Sequence, residues 1–260
     1  MLHFCAIAHE LDIDKDLIMQ EFDRQSDLIP HIARKNPSSD TYDMEDFYQS
    51  GGVPRVMEYL RNFVHLDVMT VTGKTLGGLA IMRGNLAPDT GVAKPAAIAE
   101  EMCRFTGEAS CFDSEEACIT ALEELKVKPG HVVVIRYEGP KGGPGMRELF
   151  KPLKLMNGQG LALTTGLVTD GRFSGTNYGC FVGFVSPEAA VGGPIALVRD
   201  GDKITIDVYK KELTLHVSNE KLAGGRAEWS YTPKKLTGYL ARYAALVQSA
   251  DKGGILGWSR

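Results

Sequence analysis

The chain has 260 residues, with 29 basic and 33 acidic side chains and a formal net charge of -4. At 43% hydrophobic and 24% charged residues it has the make-up of a globular protein with a sizeable core, which excludes bulk disorder, and its mild acidity excludes a dedicated nucleic-acid binder. No apolar run approaches the roughly 20 residues that span a bilayer, and Met1 to Cys5 lacks the basic stretch of a secretory leader, so no membrane partner is expected and the expected location is cytoplasmic.

Residues 1–76 read as helical. Leu2, Cys5, Ile7 and Ala8 recur at helix-compatible spacing, and Leu17, Ile18, Phe22 and Leu28 follow within a charged stretch. Lys35 to Asp40 is a polar break, and a further helix is predicted over 53–63, with Pro54 in its first turn. No cap precedes Leu2, so the sequence is expected to start inside a helix. Residues 77–130 carry one clear helix, with Asp113 predicted to cap it, Glu116 three residues on, and Cys118, Ala121, Leu122 and Leu125 as its apolar stripe. Lys128-Pro129-Gly130 should end it.

From His131 the pattern turns to strands. Val132 to Ile135 is a short continuous apolar run, as in a sheet buried on both faces, and 161–168 and 180–185 look similar. Residues 195–198 and 204–208 read as a hairpin around Asp200-Gly201-Asp202, followed by a strand over 213–217. Ser186-Pro187-Glu188 reads as a helix start, and a last amphipathic helix is predicted over 233–248. The lack of a regular βαβ rhythm points to an α+β fold built on a mixed sheet or closed barrel.

Two glycine-rich loops follow apolar strands. Tyr137 to Glu148 contains Gly142, Gly143 and Gly145, whose small size lets a backbone approach a ligand and whose amides can hold an anion; a plain structural turn is the other reading. It matches neither a Walker A loop nor GxGxxG. Thr169 to Thr176 contains Asp170, Arg172 and Ser174; the serine could face a pocket or be an ordinary surface hydroxyl, and the charged pair could bind each other or a carboxylate. The six histidines show no HxxxH or HExxH pairing. The five cysteines (Cys5, Cys103, Cys111, Cys118, Cys180) show neither CxxC spacing nor an even count, so buried, reduced thiols are expected.

Taken in order, Val71 to Leu76, Gly78 to Pro88, Gly142 to Glu148, Thr169 to Gly175 and Val185 to Ala190 resemble the dihydroxy-acid dehydratase family, which includes aldonate dehydratases. The resemblance implies a hydro-lyase that turns a 2,3-dihydroxy acid, either 2,3-dihydroxyisovalerate in branched-chain amino-acid biosynthesis or a sugar aldonate, into a 2-oxo acid. It implies an iron–sulfur cluster acting on the leaving 3-hydroxyl and Mg²⁺ on the carboxylate side. By the same resemblance Ser174 is the base, Glu148 is a magnesium ligand, and Asp170, Arg172, Gly142, Gly143 and Gly145 shape the substrate pocket.

The resemblance also implies an architecture. Residues 77–260 should form the family's C-terminal domain, an eight-stranded, barrel-like, swivelling-type unit flanked by helices. Residues 1–76 should be the helical remnant of an N-terminal α/β domain. None of the five cysteines falls on a family cluster-ligand motif, so the cluster ligands are expected outside this chain. A segment usual between Leu76 and Gly77 is missing, Phe184 stands where many members have histidine, and Ser174-Gly175-Thr176 lacks a common glycine. Phe184 would mark either a different substrate preference or a damaged site. The chain is thus expected to be an incomplete dehydratase or, alternatively, a non-catalytic product that binds a small acid or a partner. Unpaired apolar helices would favour a homo-oligomer, unless the missing N-terminal region covers them.

Overall fold

The computed structural model describes residues 2–28, 44–52, 55, 78–174 and 178–257. The expected polar break and the helix over 53–63 lie almost wholly outside these residues. Helices α1 (Leu2–Glu10), α2 (Lys15–Leu28) and α3 (Met44–Gln49) open the chain. Eight strands follow: β1 (Ala80–Gly84), β2 (Ala87–Ala93), β3 (Arg104–Phe112), β4 (His131–Ile135), β5 (Gly166–Thr169), β6 (Phe181–Ser186), β7 (Lys203–Asp207) and β8 (Glu212–Leu215). They close into a barrel in the order β1-β2-β6-β5-β4-β3-β7-β8. The consecutive pairs β3/β4, β4/β5 and β5/β6 are parallel, as is the β1/β8 seam, and the other four pairs are antiparallel.

Strand β4 explains why its sequence is apolar throughout. Val132 and Val134 point into the barrel with Val168, Val182, Ile204 and Ile206. Val133 and Ile135 point outward, onto Cys118 and Leu122 of α4 (Glu115–Glu123) and Leu153 and Met156 of α5 (Lys151–Gly158). Period-two alternation with both faces buried gives an unbroken apolar run. On the other side, Cys5 of α1 and Met19 of α2 pack on Ile81, Val92 and Phe184, so Phe184 serves here as a packing residue between the first helices and the barrel.

The seam between β1 and β8 holds by a single registered pair, Arg83 opposite Glu212. Asn85 completes it: its side-chain amide donates to Leu215 O at 2.8 Å and its carbonyl accepts from Leu215 N at 2.7 Å, as a strand residue would. Gly84 is required beside it, because a Cβ there would meet Leu213 O at 2.2 Å.

Several elements differ from expectation. The cap of α4 is Ser114, whose Oγ accepts from Ala117 N, while Asp113 pairs with Arg136 and Glu116 with Arg147. The helix ends at Glu123, before the Lys-Pro-Gly stop, and Leu125 is 59% exposed at positive φ. Residues 161–163 form a 3₁₀ turn after left-handed Gly160, leaving a strand only at β5. Residues 194–197 also form a 3₁₀ turn, because Pro194 starts a helical turn and Arg136 takes the carbonyls of Ala196 and Val198 at 3.0 and 2.8 Å. The hairpin is therefore β7 with β8. Ser186 ends β6 and donates to Asp251 instead of capping a helix; only a 3₁₀ turn, Ala189–Val191, follows. The last helix is the shorter α7 (Gly238–Leu246), with no residue buried. β1 to β3 and α6 (Asn219–Glu228), capped by Ser218, carry no sequence expectation.

Candidate functional site

The loops after β4, β5 and β6 leave the carboxyl ends of three adjacent parallel strands, where the register sets Ile135 beside Thr169 and Val168 beside Val182. In sheets of this kind such ends are where ligands are met. Two buried carboxylates stitch the three loops together. Asp170, fully buried, accepts from Tyr137 N and Glu138 N, each at 3.0 Å, and from Ala189 N at 2.9 Å. Burial pushes its carboxyl up to about 7, against the lowering effect of the three N–H donors and with Glu188 adding to the rise. Glu188 accepts from Lys141 N at 2.9 Å and Gly142 N at 2.8 Å, and burial raises its carboxyl too.

The glycine loop thus has its own anion. Gly142 and Gly143 are buried, and a Cβ on Gly142 would lie 2.9 Å from Tyr137 Cα. Gly145, by contrast, is exposed at φ +88, with open space around it. Past it, Arg147 ties the loop to α4, with Nε 2.9 Å from Glu115 Oε2 and Nη2 2.6 Å from Glu116 Oε1. Glu148, the next residue, is exposed and pairs through its backbone with Arg172. Leu149 N donates to Arg172 O at 2.8 Å, and Arg172 Nε donates back to Met146 O. The two sequence motifs therefore meet along one edge at Glu148 and Arg172, and the half-buried Ser174 stands two residues further along the chain. Asp170, Gly142 and Gly143 lie beneath that edge and brace it.

Sequence reasoning missed four contributors. Glu138 is buried and accepts from Glu115 N at 2.9 Å, and Glu188 and Arg147 act as described above. Lys94, just after β2, places its ammonium 3.2 Å from Phe173 O and 4.9 Å from the Phe173 ring centroid. Burial lowers its pKa to about 8, while Glu148 acts to raise it. Its signal in the sequence is a cation directly after the small apolar pair Val92-Ala93 and before Pro95, where a solvated loop is the ordinary reading.

The donor set does not fit an iron–sulfur cluster. Four cysteines are buried and Cys111 is half-buried; burial pushes the Cys111 and Cys118 thiols up to about 12 and raises that of Cys180, the reverse of the thiolate character that cluster ligands need. Among the described residues no three His, Cys, Asp or Glu side chains gather as a metal site. Glu148 offers one hard oxygen ligand of the kind Mg²⁺ takes, where such an ion needs several. Nor is any helix among the described residues long and apolar enough to cross a membrane.

Comparison with known proteins places this geometry. The sequence model "Dihydroxy-acid/6-phosphogluconate dehydratase C-terminal" matches residues 67–254, and its N-terminal counterpart matches residues 1–79. The two matches overlap over residues 67–79. The chain is 46% identical to the dihydroxy-acid dehydratases of Agathobacter rectalis and Lachnospira eligens, over 98% of its own length and 50% of theirs. It is 44% identical to that of Acetivibrio thermocellus, over 98% of its length and 51% of the relative's. The chain thus spans about half the length of these curated relatives. The first alignment runs over 284 positions, more than the chain's 260 residues, so that relative carries residues with no counterpart here. On these matches the chain belongs to the dihydroxy-acid/6-phosphogluconate dehydratase family.

Proposed function

We propose that the chain is part of a dehydratase that removes water from a 2,3-dihydroxy acid to give a 2-oxo acid, with Ser174 as the base that takes the C2 proton. The observation that carries this reading is the meeting of the two motif loops, with Glu148 bridged to Arg172 two residues before Ser174. In the reaction, the C2 proton passes to the Ser174 alkoxide, the C3 hydroxyl leaves as hydroxide and becomes water by taking up one proton, which in net balance is the one Ser174 removed, and the resulting enol tautomerises to the 2-oxo acid. An isolated serine hydroxyl is far too weak an acid to act as a base through its alkoxide, so a cation must lie close to it. Glu148 would hold one position of a Mg²⁺ ion; when bound, that ion supplies the positive charge for the serine and for the substrate's carboxylate. Arg172 and Gly145 line the same edge, and Asp170, Gly142 and Gly143 keep the loops in register beneath it.

The cysteines do not support a cluster within the chain, and departure of the C3 hydroxyl is left to residues outside those described. The finer architecture belongs to the same proposal: 77–260 as a swivelling-type domain, and 1–76 as the end of an α/β domain. So do the small hydroxy-acid substrate, a place in branched-chain amino-acid biosynthesis, and a cytoplasmic setting.

The test is complementation. The chain would be co-expressed with the stretch of the Agathobacter rectalis relative that it does not match, and the pair purified anaerobically with Mg²⁺ after iron–sulfur reconstitution. Formation of 2-oxo acid from 2,3-dihydroxyisovalerate or an aldonate supports the proposal. A well-folded assembly inert toward all of them favours the alternative of a binding protein without turnover.

A further inference from the structure

Lys94 sits where β2 ends and Pro95 starts a 3₁₀ turn, so its backbone is held on both sides. Its ammonium crosses to the neighbouring loop, donates to Phe173 O at 3.2 Å and lies over the Phe173 ring. That ring is itself fixed edge-on to Phe181 of β6, with centroids 6.0 Å apart. A half-buried ammonium is therefore attached to the main-chain carbonyl immediately before Ser174. A lysine stem bears appreciable ordering entropy, and a buried ammonium is costly unless it meets partners. Here the partners are one carbonyl and one ring face, both of Phe173, directly before the proposed base.

We propose that Lys94 is a positioning residue for Ser174, clamping the main chain immediately before the base. This deepens the dehydratase reading and rests on it for its catalytic consequence, but the clamp itself can be tested in the 260-residue chain alone. The readout is the backbone ¹⁵N order parameter at Ser174, with the amides of Val132 to Ile135 as an internal control. Wild type should give a rigid value near about 0.85 at Ser174. Lys94→Met should drop it below about 0.6 with β4 unchanged, and Lys94→Arg, which keeps charge and donors, should hold it. An unchanged Ser174 in Lys94→Met would overturn the clamp, as would a loss shared equally with β4.

In the completed enzyme, Lys94→Met should lower kcat about 10-fold with KM within about twofold. Unchanged kcat with a raised KM would overturn the positioning role. If the completed wild type turns over nothing, the dehydratase reading fails, while the order parameters still decide the clamp.

Discussion

Asp170 and Glu188 show how much of a candidate site can be bracing. Asp170 sits between two residues of a recognisable motif, yet its carboxylate is spent on three main-chain donors from two other loops. Asp170→Ala leaves those buried N–H groups unsatisfied and should cost about 3 kcal/mol or more, read by urea denaturation. Burial sets the pH dependence. A carboxyl whose folded pKa is raised, here from 3.8 to about 7, binds more protons folded than unfolded in that interval. Stability contributed by Asp170 therefore falls as pH rises from about 4 to about 7 and is flat beyond. Asp170→Asn should remove that slope, and an unchanged slope in the variant would show that other groups produce it. The glycines divide similarly. Gly142→Ala should cost about 2 kcal/mol through overpacking against Tyr137, whereas Gly145→Ala meets only its backbone strain, about 1 kcal/mol; thermal melts compare them. Sequence composition marks all these glycines alike, and only the packing separates them.

Among the elements, legibility followed burial. β4 and α4 were readable because both carry their apolar pattern to the core, in period two with both faces covered and as a helical stripe. β1 and β2 were not, because Gly84, Pro88 and Gly91 interrupt them and Asn85 substitutes a side chain for strand pairing. The turn at 194–197 reads as a strand by its Ile-Ala-Leu-Val composition, and what overrides that composition is a distant residue, Arg136. Arg136 is only 8% exposed, and its guanidinium pairs with Asp113 and takes the carbonyls that a ladder would otherwise use. Arg136→Met should destabilise by about 3 kcal/mol, because it leaves buried carbonyls without a donor. Asp113→Ala, removing only the exposed partner, should cost under about 1 kcal/mol. Near-equal losses in chemical denaturation would mean that the ion pair, not the carbonyl contacts, holds the turn. At the seam, Asn85→Ala should cost about 2 kcal/mol and raise hydrogen exchange at Leu215 before it rises in β4.

At the scale of the molecule, the family was legible because several long motifs stand in fixed order, and of the two architectures read from the sequence, a mixed sheet or a closed barrel, the strands form the barrel. The meeting of Glu148 with Arg172 and the role of Lys94 were not, since both depend on which strands become neighbours. The chain carries the proposed base and one proposed magnesium ligand, while four of its five cysteines are buried thiols and Cys111 is half-buried. The central claim is that Ser174 acts as the base in a dehydratase of which this chain is one part. It is tested most directly by 2-oxo-acid formation from 2,3-dihydroxyisovalerate, measured for the chain alone, for the complemented assembly, and for the assembly bearing Ser174→Ala. The account predicts no turnover by the chain alone, turnover by the assembly, and a loss of about 100-fold or more in the variant with its fold intact. Turnover by the isolated chain, or wild-type rates in the Ser174→Ala assembly, would contradict it.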